Sequence, residues 1–361
     1  MLLVGDISRD GRVQKELATL RAHGHRVTLI QWPQKALPGN HEYLGIDVVE
    51  YLRPLHRSAA VNFLRQLLFN VFAFRHLRRL SPDVVQCNDL NTLPAGFFFR
   101  RRARIIYDAH ELFPESQKGL RRRVWSWLER WMVHGCDAYI QPEKNRRAYF
   151  AAKYGIAPSR VALVENFPSE SYAFSGRNRL RDFFAIDPER IILLCSGVLG
   201  PEHNIESMID CMALLDARFV LVLLGPTFKG YEQEIASRIT AARVEDRVKL
   251  HPAIPNLDML DYMQSSDIGL VFYKNIDLNT YWCASNKLYE FIFCSKPVIT
   301  NDYPGLREVV EDHQLGVCLS DASPEAIAAA VHRITSESRA PGEASPYVWQ
   351  RQEATYLKLF E

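Results

Sequence analysis

Short apolar runs alternate along the chain with stretches whose apolar positions recur every third or fourth residue. GRVQKELATLRAHGH sets Val13, Leu17 and Leu20 at helical spacing and reaches a stop signal at Gly24. Strand-like segments follow at RVTLIQW, IDVVEYL, DVVQC, RIIYDAH, AYIQP and VALVEN, with helical stretches between most of them. That alternation predicts parallel βαβ units whose helices cover both faces of a sheet. Residues 170–190 are polar and aromatic and contain no strong strand. The rhythm then restarts with IILLCSG, FVLVLLGP, RVKLHP, DIGLVFY, PVITND and GVCLS. Two doubly wound α/β domains in tandem are the simplest account: 1–170 first, 171–338 second. The tail, 339–361, is Pro-rich and then helical, and is expected to pack back on the first domain. In open parallel sheets ligands bind beyond the carboxyl ends of the strands, so the residues just after each strand are the ones to read for chemistry.

Composition changes this picture little. A chain of 361 residues suits two ordinary domains. A net charge of +2 gives no reason to expect a nucleic-acid partner. The seven cysteines form no CxxC pair, which argues against a zinc site and for buried free thiols in a reducing compartment. No signal peptide and no membrane-spanning stretch stand out, so a cytoplasmic protein is expected. Neither GxGxxG nor GxxxxGK[ST] occurs, which removes the dinucleotide fingerprint and the P-loop.

The most informative segment is SNKLYEFIFCSKPVITNDYPGLREVV, residues 285–310. Ser285 can cap a helix that begins with Asn286 and carries Lys287 and Glu290, three apart on one face. A lysine beside a helix N-terminus suits a phosphate, because unpaired backbone N–H groups point the same way. A carboxylate one turn on can accept from the vicinal hydroxyls of a ribose. The plainer alternative is an exposed salt bridge between the two. In the first half, His110 ends the strand RIIYDAH and can donate to a phosphate or a sugar hydroxyl. Asp108 and Glu111 flank it. Asp89, after DVVQC, can orient an acceptor hydroxyl or act as a base, or it can merely cap a helix. Arg12, after the first loop, is a candidate phosphate contact or a solvated helix-start residue.

SNKLYE with its PVITNDYPGLREVV continuation resembles the donor-binding segment of family 4 glycosyltransferases, which often reads PNKLFEY, then GxPVV and PGLREVV. DGRVQKELATLRAHGHRVTLI resembles that family's opening, and NDLNTLPAG and YDAHELFPE resemble its acceptor-side segments. The closing W-x-x-x-E at Trp349 and Glu353 extends the resemblance along nearly the whole chain. It implies a GT-B fold, two Rossmann-like domains facing a cleft, with the donor on the second and the acceptor on the first. It implies that Glu290 holds the donor ribose and that Lys287, with Gly197 of CSGVLGPEHNIES, lies near the diphosphate. It places His110 against donor or acceptor.

The chain departs from the family in places. Trp282 stands where a first glutamate is usual. Val198 stands where an arginine is usual, and His203 or Asn204 near a later basic position. The implied activity is transfer of a hexosyl or related residue from a nucleotide-diphosphate sugar to a glycan or lipid-linked acceptor. With no DxD in the chain, neither metal nor other cofactor is expected. The alternatives are a binding or scaffold protein that has lost catalysis, and a nucleotide-sugar epimerase. Two basic aromatic segments, 58–80 and 118–133, add the expectation of peripheral contact with an anionic membrane at its inner face.

Overall fold

A computed structural model describes residues 1–33, 42–43, 45–56, 58–312, 314–337 and 346–361; of Glu42, Tyr43, Ala59 and Asp312 it describes the backbone alone. The chain divides into two compact units. One comprises Met1–Glu165 with Gln352–Glu361, and the other Asn166–Arg351. The first unit therefore ends a little before the expected residue 170. The returning tail enters it only at Gln352, and residues 339–345 of the expected tail lie outside the described residues.

The first unit holds β1 (Leu2–Leu3), α1 (Gly11–Ala22), β2 (Thr28–Gln31), β3 (Glu42–Tyr43), β4 (Ile46–Glu50), α2 (Ala59–Leu80), β5 (Val84–Asn88), α3 (Leu93–Phe99), β6 (Arg104–Asp108), α4 (Gly119–Val133), β7 (Ala138–Gln141), α5 (Lys144–Tyr154) and β8 (Val161–Leu163). Its sheet runs β3-β4-β2-β1-β5-β6-β7-β8 and is parallel except for β3, a short antiparallel edge strand absent from the sequence expectation. Strand order reverses at β1, which pairs with β2 on one side and β5 on the other.

The second unit holds α6 (Arg179–Phe184), β9 (Ile191–Ser196), α7 (Ile205–Leu214), β10 (Phe219–Leu224), α8 (Glu232–Ala242), β11 (Val248–His251), α9 (Met259–Gln264), β12 (Ile268–Val271), α10 (Leu278–Tyr281), α11 (Asn286–Phe293), β13 (Val298–Asn301), α12 (Pro304–Asp312), β14 (Gly316–Leu319) and α13 (Pro324–Ser336). Its all-parallel sheet runs β11-β10-β9-β12-β13-β14, with the reversal between β9 and β12. The last helix of the chain, α14 (Glu353–Leu357), belongs to the first unit.

Alternation along the strands explains the layering. In β9, Leu193 and Cys195 enter the core under α7, α8 and α13, while Ile192 and Leu194 enter the core under α6, α9, α11 and α12. Ile192, Leu193 and Leu194, wholly buried, each contribute about 1.5–3 kcal/mol. The first unit differs on one face. Under α2–α5 the core is aromatic and aliphatic, with Phe69, Phe97, Phe99, Tyr107, Tyr139 and Phe150. Under α1 and α14 the strands β5 and β6 instead present Gln86 and Asp108, both buried.

Candidate functional site

Each sheet brings a cluster of polar side chains to its carboxyl edge. In the first unit the cluster forms where β5 and β6 end. Asp89 leaves β5 with a left-handed backbone, φ 66°, a conformation uncommon for a residue with a side chain. Its N–H donates to the Asp108 carbonyl at 2.7 Å, and its Oδ1 accepts from the His110 N–H at 2.9 Å. Helix-capping is thereby set aside, since α3 starts later and is preceded by Thr92. The two loops are stitched together so that the imidazole of His110 lies between two carboxylates. Nε2 is 3.4 Å from Asp108 Oδ2 and Nδ1 is 3.7 Å from Asp89 Oδ2. Burial disfavours the imidazolium, but Asp89 and then Asp108 outweigh it and raise the pKa to about 10. Burial pushes Asp89 up to about 6 against the pull of His110, so near neutrality it is an anion beside a cation.

Behind His110 lies an interior network. Arg12 donates to Asp108 through Nη2 at 3.0 Å and Nε at 3.2 Å, and to the Val164 carbonyl at 2.8 Å. It is buried, and so is neither the solvated helix-start residue nor the open phosphate contact of the sequence expectation. Glu16, wholly buried, stands 3.2 Å from Arg12 Nε. Burial and the Asp108 carboxylate hold the Glu16 pKa well above the ordinary range, with Arg12 opposing. Against the pull of burial, Arg12 and His110 hold Asp108 well below it. Asp108 thus keeps the charge and Glu16 the proton, and the guanidinium donates its Nε hydrogen to Asp108 and leaves Glu16 Oε1 without a hydrogen bond. Gln86 donates to Glu16 at 2.7 Å and to Asp108 at 3.2 Å, and accepts from the Tyr356 hydroxyl at 2.7 Å. Arg146 of α5 donates to the His110 carbonyl at 2.9 Å. Glu111 is exposed. Glu16, Gln86, Arg146 and Tyr356 were not singled out from the sequence. The available signal was Gln86, a polar residue inside the apolar strand DVVQC.

In the second unit the cluster sits at the strand-order reversal. Ser285 precedes α11 and accepts from the Leu288 N–H at 3.3 Å, as a helix cap does, while its Oγ is 2.9 Å from the Tyr273 hydroxyl. That anchors the first turn of α11 at the end of β12. Asn286, first in the helix, is exposed. The Lys287 side chain lies over Gly197: a Cβ added to that glycine would stand 2.5 Å from Cε and 3.0 Å from Nζ. Its ammonium also stands 5.4 Å from the Tyr273 ring centroid. Burial holds the Lys287 pKa below its ordinary value. Gly197 has φ 100°, and its carbonyl oxygen would meet a Cβ on Gly225 at 1.9 Å, so both glycines are required where β9 and β10 end. Glu290 is partly buried, one turn beyond Lys287. The cluster can hold an anion at a cationic helix start and a polyol against a carboxylate. Among the described residues, no three His, Cys, Asp or Glu side chains group as a metal site would require.

Two doubly wound sheets in tandem, each with a polar cluster at its carboxyl edge, have the GT-B fold. The comparisons with known proteins agree. Residues 12–168 match the model described as Glycosyltransferase Family 4, and residues 176–347 that described as Glycosyl transferases group 1. The chain belongs to the family 4 glycosyltransferases. Among curated proteins, alpha-D-kanosaminyltransferase of Streptomyces kanamyceticus is 22% identical over 233 residues, 59% of this chain and 55% of that protein. Chitobiosyldiphosphodolichol beta-mannosyltransferase of Yarrowia lipolytica is 20% identical over 88% of this chain and 75% of that one. Among solved structures, the fold matches sucrose-phosphate synthase of Thermosynechococcus elongatus with a TM-score of 0.78 at 16% identity, covering 99% of this chain and 98% of that one. Anabaena HepE in complex with UDP and glucose matches at 0.72 and 16%, covering 99% and 96%.

Proposed function

We propose that the protein moves a hexosyl or related residue from a nucleotide-diphosphate sugar to a glycan or lipid-linked acceptor. The observation that carries this is the arrangement at the switch point of the second sheet. There Lys287 lies over Gly197 at the capped start of α11, with Glu290 one turn on. A diphosphate fits the ammonium and the free N–H groups of the helix start, and a ribose fits the carboxylate. On this reading Asp89 and His110 of the first unit serve the acceptor side, Asp89 orienting a hydroxyl and His110 donating to developing negative charge. The family assignment favours transfer over the epimerase and scaffold alternatives. Glu290→Ala should weaken donor binding by about 2–4 kcal/mol while the fold survives. Calorimetry with nucleoside diphosphates, beside a transfer assay, checks this; unchanged affinity removes Glu290 from the site.

The reaction is read as metal-independent, with Lys287 and the N-terminus of α11 stabilising the leaving diphosphate. Activity should persist in EDTA. Complete loss, restored by Mn²⁺ or Mg²⁺, would overturn that. The protein is further read as acting in the cytoplasm at the inner face of an anionic membrane. Support comes from the exposed Trp127, Trp131 and Leu120 of α4 beside Arg121 and Arg123.

A further inference from the structure

The loop from β9 to α7, Gly197 to Asn204, contains a single side chain able to become a cation, that of His203. Its Nδ1 is 3.1 Å from the Phe272 carbonyl oxygen. A carbonyl can only accept, so Nδ1 carries the proton, and in the neutral ring Nε2 is left with a lone pair. Nε2 has no hydrogen-bond partner among the described residues and is not among the buried orphan atoms. The His203 ring stands 5.3 Å from that of Tyr273, at the end of β12, and Lys287 Nζ stands 5.4 Å from the same Tyr273 ring. His203 and Lys287 thus share the edge where β9 and β12 part.

The charges around His203 are few. From α11 comes Lys287, with Glu290 beyond it. From the end of β12 comes the Tyr273 phenol, which burial keeps protonated. From β9 comes the Cys195 thiol, pushed up to about 11 by burial. On its own side, Glu202 is exposed, and Glu206 is held by the Tyr231 hydroxyl at 2.5 Å and by Lys274 at 3.5 Å. Burial, and then the Lys287 ammonium, lower the His203 pKa to about 4.

We propose that His203 is a proton-linked ligand of the donor diphosphate, taking up a proton at Nε2 as phosphate oxygens settle between it and Lys287. This rests on the donor reading given above. A phosphate dianion reverses the sign of the local field, and a protonated Nε2 becomes a charge-assisted donor to it. The specificity consequence is a preference for the diphosphate over the uncharged nucleoside that strengthens as pH falls.

The test is calorimetry of whichever of UDP, GDP and ADP binds, from pH 6 to pH 9, in buffers of different ionisation enthalpy. Proton uptake per site is compared among wild type, His203→Gln and His203→Lys. The diphosphate's own ionisation contributes equally to all three, so the differences read His203. Wild type should take up a fraction of a proton more than either variant. His203→Gln should lose about tenfold in affinity at pH 6 and little at pH 9, as one lost charge-assisted hydrogen bond implies. His203→Lys should bind across the range without the extra uptake. Equal uptake in wild type and His203→Gln overturns the proposal while leaving the donor site standing. Failure of wild type to bind any nucleoside diphosphate overturns the donor reading itself.

Discussion

At the scale of single residues, the feature of most consequence is a histidine with a carboxylate at each ring nitrogen. A neutral imidazole has one N–H and one lone pair, and the lone pair would face an anion. The double contact of His110 with Asp89 and Asp108 therefore selects the imidazolium. The pKa is raised from 6.5 to about 10, so the stabilisation is present in full below about 6.5 and is lost as pH rises through about 10. Wild type should accordingly melt higher than His110→Gln at pH 6, with the gap closing toward pH 10. As a donor, His110 should support turnover until pH approaches 10. A rise in kcat through about 10 would mark it as a base instead, whereas a rise near 6 would report Asp89 losing its proton. His110→Ala should cost about 10²–10³ in kcat and little donor affinity. The strand-end position of His110 was legible in RIIYDAH, and Lys287 and Glu290 could be placed on a helix from their spacing. The fate of Arg12 was not. Its burial depends on Asp108, distant in sequence, and on a neutral Glu16 that only the folded interior produces.

At the scale of elements, alternation of apolar runs predicted every strand after β1 except β3. β3 has two residues and pairs antiparallel, so no periodicity could announce it. The α11 start was readable because its cap is local: Ser285 bonds Leu288 within one turn. What could not be read was how closely β9 and β10 approach at their ends. Gly225 has φ 141°, and a Cβ there would lie 1.9 Å from a backbone oxygen that no rotamer can move. Gly225→Ala should therefore cost more than about 3 kcal/mol, strain and clash together. Gly230 has φ 88° with nothing within 4 Å, so Gly230→Ala should carry backbone strain alone, about 1 kcal/mol. Urea unfolding of the two variants checks the ordering. Equal midpoints would mean that the β9 and β10 ends give way more readily than their geometry implies.

At the scale of the molecule, the first unit carries an apolar surface that its own core does not use. α2 buries Phe69, Ala73 and Leu77 and leaves Phe63, Leu64, Leu67, Leu68 and Val71 exposed. Along one side of α2, Leu64 and Leu68 face out, while Val61 and Phe72 are only partly buried. α4 adds Leu120, 74% exposed, Val124, Trp127, 64% exposed, and Trp131, and α3 adds Phe98 against the Trp131 ring. Singly scattered apolar residues are ordinary, whereas grouped ones mark a surface with an occupant. Exposed arginines accompany them: Arg75, Arg78 and Arg79 on α2, and Arg121, Arg123 and Arg130 on α4. Among the described residues no helix is long and apolar enough to cross a membrane, so contact would be interfacial. Each arginine near an anionic surface is worth about 1 kcal/mol, screened over about 10 Å at 0.1 M salt. The protein should float with vesicles containing anionic lipid at low ionic strength and detach as salt rises. A Leu120→Ser, Trp127→Ser pair should reduce binding to anionic vesicles at every salt concentration. Arg121→Gln with Arg123→Gln should instead remove most of the salt dependence. Equal binding to neutral and anionic vesicles would show that charge plays no part, and no flotation at low salt would leave this face to another protein.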